Sequence, residues 1–135
     1  MNGGRLEPMV REVRRLAAER PDFVYEDQPD SLGAGVCFYY GADGKGGGTG
    51  CIIGEAAKAL GASPATLQCM DDSVDFGDVL AIALDIPPFI DDTQGEHEAR
   101  RWLATVQGYQ DSGMDWGSAV AKADLSMDEP PFVCA

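Results

Sequence analysis

Apolar residues recur at intervals of three and four in successive segments of this chain, and each segment is bounded by a capping residue, a glycine or a proline. That period commits most of the chain to amphipathic helices. The first is expected over residues 8–19, with Leu6, Met9, Val10, Val13, Leu16 and Ala17 on one stripe and Pro21 as its stop. A second, over residues 51–60, ends at Gly61. Ser63 and Pro64 open a short helix through Leu67. Ser73 or Asp75 caps the stripe Phe76, Val79, Leu80 and Ala83, which Pro87 and Pro88 terminate. Thr93-Gln94-Gly95-Glu96 has the capping-box pattern and opens a helix burying Ala99, Trp102, Leu103 and Val106 to near Gly113. Asp115 caps a last helix over residues 116–123.

Two segments break the helical period. Phe23-Val24-Tyr25 and Val36-Cys37-Phe38-Tyr39-Tyr40 are β-branched and aromatic and lie between Pro, Asp and Gly, which predicts a two-stranded antiparallel hairpin. The expected fold class is therefore α+β, mainly helical, with about five helices packed on that small hairpin. Residues 1–125 form the expected single domain and residues 126–135, containing Pro130-Pro131, a loose tail.

The net charge of −13 is placed unevenly. Residues 1–20 hold five arginines against three glutamates, whereas residues 71–98 hold nine carboxylates and no Lys or Arg. The arginines of the first helix stand one turn from glutamates (Glu7 to Arg11, Glu12 to Arg15), the pattern of a salt-paired, solvated face. The acidic field repels phosphates, so neither nucleic acid nor an anionic membrane is an expected partner. Its plainest role is solubility; its functional reading is attraction of a basic protein surface. Asp71, Asp72, Asp75, Asp78, Asp91 and Asp92 are the candidate partner-binding residues.

No run approaches the length of an apolar membrane span, and residues 1–20 lack the apolar core of a signal peptide. The expected location is the cytoplasm. The four cysteines, Cys37, Cys51, Cys69 and Cys134, have no CxxC spacing and only His97 as a possible companion, so no structural metal is expected. Cys37 and Cys51 read as small buried hydrophobes; their spacing permits a disulfide between them, and a reducing compartment argues against it.

Recognisable catalytic frames are missing from the sequence: no Gly-x-Ser-x-Gly and no paired histidines occur, and His97 falls on the polar side of its helix. No catalytic residue and no cofactor are assigned. The glycine-rich stretch 41–50 lies between a strand-like and a helix-like segment, the layout of a phosphate cradle, with Lys45, Gly46 and Thr49 as its candidate ligand residues. Lys45 is followed by glycines rather than Ser or Thr, which departs from a P-loop, and a flexible linker is the competing reading. The calcium-loop pattern fails at Asp71 to Gly77, where the glycine falls one place late. Gln107, Gln110 and Asp111 flank a helix corner beside Trp116. They are expected to bond the backbone there, with a small binding groove as the alternative.

Cys37, Tyr39 and Gly50-Cys51-Ile52-Ile53-Gly54-Glu55-Ala56, followed by Trp102-Leu103, Val106-Gln107, Gln110-Asp111, Gly113 and Trp116, resemble a group of small uncharacterised proteins of actinobacteria and their phages. The likeness spans most of residues 8–124 and departs in the loop 41–49 and in the tail. It implies a compact domain of that type, of bacterial or phage origin, and no activity. The functional expectation is a non-enzymatic accessory or regulatory protein, acting on a host component if phage-encoded, that binds a protein with a basic surface through its acidic face. The alternative is a small-molecule or nucleotide-binding domain built on the loop 41–50.

Overall fold

The structure, a computed structural model, describes residues 4–25, 39, 50–73, 75–87 and 93–127. A single 3-10 turn, Gly4–Leu6, leads into six α-helices: α1 Glu7–Glu19, α2 Ile52–Ala59, α3 Pro64–Asp72, α4 Phe76–Leu84, α5 Gln94–Asp111 and α6 Trp116–Leu125. Their starts follow the local chemistry of the sequence. The Ser63 hydroxyl accepts the Thr66 N–H, Asp75 accepts those of Gly77 and Asp78, and Asp115 accepts that of Ser118. Thr93 and Glu96 form the reciprocal capping box at α5.

The fold is all-helical among the described residues, so the expected α+β class with a hairpin is corrected. Phe23 and its neighbours carry strand-forming side chains, yet their backbone is spent on a helix end. The Phe23 carbonyl accepts the Trp116 N–H and the Pro21 carbonyl accepts the Gly117 N–H, each at 2.9 Å, which satisfies two orphan donors at the start of α6. Tyr39, placed in the second strand by sequence, donates its N–H to the Asp71 carboxylate at 2.6 Å, and its backbone lies against Gly54 of α2. Phe23 and Tyr39 thus each bond to a helix residue through their backbone. Residues 36–38 and 40 lie outside the described residues.

One core joins the helices. Leu6, Met9, Val10 and Val13 meet Ile52, Ile53, Leu80, Trp102, Leu103, Val106 and Trp116, all wholly buried. Pairs with short connections pack most closely, α5 on α6 and α3 on α4, while α1 spans α2, α5 and α6. Two long-range polar ties fix the rim. Arg5 grips Glu96 through its backbone N–H (2.9 Å), Nε (2.8 Å) and Nη2 (3.1 Å), securing the chain's start to α5. Asp124 accepts both Arg14 Nη atoms and the Trp102 indole N–H, with the Arg14 guanidinium 4.5 Å over the Trp102 ring.

Helix α4 is the exception to clean amphipathicity. Its sequence, FGDVLAIAL, is apolar almost all round; Val79, Leu80 and Ala81 are buried, but Ile82, Ala83 and Leu84 stay partly exposed. Ile82, Ala83 and Leu84 pack against the core from its margin and keep an exposed outer edge.

Candidate functional site

The half-exposed side of α4 and the adjoining side of α3 enclose a groove with two lobes. The first, about 570 Å³, is lined by Ala65, Thr66, Cys69 and Ser73 of α3 and its C-terminal cap, and by Asp78, Ala81, Ile82, Asp85 and Ile86. The second, about 540 Å³, runs from Pro8 and the 60–63 turn across to Ile82, Ala83, Leu84 and Asp85. Thr66, Ile82 and Asp85 line both lobes, so the two are continuous. Asp78 and Asp85 are the charged residues of the lining, and neither has an ion-pair partner among the described residues. Their separation of seven residues sets them about 10 Å apart along α4. The first lobe is mostly apolar, with hydroxyls at Thr66 and Ser73 and the exposed, free thiol of Cys69, whereas the second lobe is mostly polar and adds the Ser63 hydroxyl.

The other sequence candidates have different places. Asp71 is tied to the Tyr39 backbone, and Asp75 is consumed as the α4 cap. Asp72 is exposed at the end of α3, on no lobe lining. Asp91 and Asp92 lie outside the described residues, as do Lys45, Gly46 and Thr49 of the proposed ligand loop. Two N–H groups are engaged at the start of the helix that this loop leads into. Gly50 N–H bonds the Glu55 carboxylate at 3.0 Å, and Ile52 N–H bonds Gln110 Oε1 at 2.6 Å. A phosphate at that end would meet Glu55 where a cradle needs open N–H groups.

Gln107, Gln110 and Trp116 are buried. Gln110 Oε1 also accepts the Trp116 indole N–H at 3.1 Å, and its Nε2 donates to Asp111 at 3.0 Å. These residues tie α2, α5 and α6 together and line none of the described concavities. His97 is exposed beside a small concavity of about 220 Å³ with Phe76, Gly77, Arg100, Arg101 and Ala104. Among the described residues, no three His, Cys, Asp or Glu side chains gather as metal ligands, and no helix is long and apolar enough to cross a membrane. Cys51 is a free, buried thiol.

Comparison with known proteins gives no match. Family models, curated proteins and solved structures all fail to align with this chain at a significant level.

Sequence reasoning singled out the acidic stretch 71–98 but not the groove. Asp85 was one carboxylate among nine, and Thr66, Ile82 and Leu60 carried no polar signal. The readable clue was α4 itself, since a helix apolar all round needs a second cover beyond its own core.

Proposed function

We propose that this chain is an accessory protein that recognises a basic, partly apolar segment of another protein in the groove between α3 and α4. The observation that carries the reading is the pairing of the partly exposed Ile82 and Ile86 with two carboxylates, Asp78 and Asp85, in one groove of a chain of net charge −13. Apolar area supplies affinity, and the acidic rim selects cationic partners and speeds their approach. Leu60 extends the apolar surface at one end, being 38% exposed on the second lobe.

The reading is tested by titrating isotope-labelled protein with a synthetic amphipathic peptide of Lys and Leu, against a control with Glu in place of Lys. Backbone shifts concentrated in residues 60–66 and 82–86 are expected with the Lys peptide only. Binding should weaken roughly tenfold in the Asp78→Asn/Asp85→Asn double variant and fall with added salt. Equal binding of both peptides, or shifts elsewhere on the surface, would overturn it.

A further inference from the structure

The second lobe differs from the first in what surrounds it. Four helix ends border it: the starts of α1 and α3 and the finishes of α2 and α4. Each contributes backbone groups that the helix cannot satisfy internally, N–H groups at a start and C=O groups at a finish. Prolines remove donors at the two starts. Pro8 and Pro64 occupy the first turns of α1 and α3 and bring no N–H. The remaining α3 start is capped, with Ser63 Oγ accepting the Thr66 N–H.

The helix finishes are affected in the opposite sense. The carbonyls of Ala83 and Leu84 lie in the last turn of α4, which the left-handed Asp85 ends, so no helical N–H follows to meet them. The donors that do follow α4 are already used: Asp85 N–H on Ile82 and Ile86 N–H on Ala81. The Leu60 carbonyl finds no N–H four residues on either, because that position is Pro64. Leu60, Ala83 and Leu84 all line this lobe, and so does Asp85. The lobe thus offers last-turn acceptors, a full negative charge and the negative ends of two helix dipoles, alongside the positive ends of α1 and α3 and the Ser63 and Thr66 hydroxyls.

We infer that this lobe is a subsite for one ammonium or guanidinium group, the tip of a single Lys or Arg side chain of the partner segment. The inference rests on the reading that the groove takes such a segment, and it names which part of the groove reads the cation. Pro8, Leu60 and Ile82 give the aliphatic stem of that side chain an apolar wall, while its charged head meets Asp85 and the carbonyls. Asp78, in the other lobe, supplies general attraction without such acceptors.

The test is a double-mutant cycle on the full chain with the Lys/Leu peptide, each Lys replaced in turn by norleucine. Asp85 has a left-handed backbone (φ 54°), which Asn also tolerates, so Asp85→Asn removes charge with little backbone strain. One Lys is expected to dominate, its loss and Asp85→Asn each weakening binding roughly tenfold without adding. Asp85→Asn should melt as cooperatively as the parent. Asp78→Asn should leave the dominance of that Lys intact. If all Lys positions contribute alike and Asp78→Asn equals Asp85→Asn, the subsite is refuted while the groove reading stands. If the peptide fails to bind, the groove reading falls. In that case N-acetyl-arginine amide is titrated alone: shifts at residues 60–62 and 84–86 keep the subsite, and their absence removes it.

Discussion

The side-chain oxygen of Gln110 accepts the backbone N–H of Ile52 at 2.6 Å, across fifty-eight positions of sequence. The same oxygen takes the Trp116 indole N–H, so one neutral side chain without solvent exposure closes the start of α2 and orients the largest residue of α6. Replacing it by Leu keeps volume but orphans two buried donors. Gln110→Leu is expected to cost about 2–4 kcal/mol in denaturant unfolding, with Trp116 fluorescence altered before the transition. A loss below about 0.5 kcal/mol would mean water takes over both donors.

Glu96 is buried under Arg5, and the Arg5 hydrogen bonds hold its carboxyl at a pKa of about 2, below the ordinary 4.5. A depressed folded-state pKa stabilises the fold above the unfolded value and withdraws that stability as the pH falls from 4.5 toward 2. Glu96→Gln should therefore lower stability at pH 7 by about 1–3 kcal/mol and flatten the acid dependence over that window. The check is urea unfolding of both proteins at pH 7, 4 and 3; parallel pH curves would contradict the assignment.

Gly54 sits in α2 where a Cβ would fall 2.6 Å from the Tyr39 Cα and closer still to its carbonyl oxygen. Backbone cannot yield as a flexible side chain does. Although Ala is the better helix former, Gly54→Ala is expected to destabilise by about 1–3 kcal/mol or to release the Tyr39 segment. Release would appear as faster amide exchange at Tyr39 with α2 still protected.

Asp124 serves two partners at once, the Arg14 guanidinium and the Trp102 indole. Asp124→Ala should cost about 2 kcal/mol, more than Arg14→Ala, because only the former strips the indole of its acceptor. Thermal melts of the two single variants and the double variant measure the difference; a larger loss in Arg14→Ala would reverse the hierarchy.

The helices were legible in the sequence because their determinants are local. Ser63, Asp75, Thr93 with Glu96, and Asp115 act within three residues of themselves, and the observed caps are those residues. The bonding role expected at the Gln110 corner was legible in kind, since helix ends leave groups to satisfy, but its partner Ile52 was not. The strand reading failed where side-chain preference and backbone use diverged. Phe23 and Tyr39 have strand-forming side chains, yet helix-end donors and the Asp71 carboxylate claimed their backbone. The groove was hidden for a related reason: Asp78 and Asp85 share a rim only once α3 lies against α4. By itself, then, the sequence determined where helices begin and end and that the surface is acidic, because those follow from neighbours along the chain. Tertiary packing alone decided which apolar residues of α4 stayed partly exposed, which carboxylates were taken by long-range partners such as Arg5, Arg14 and Tyr39, and which acceptors came together, because each depends on segments brought from far apart in sequence.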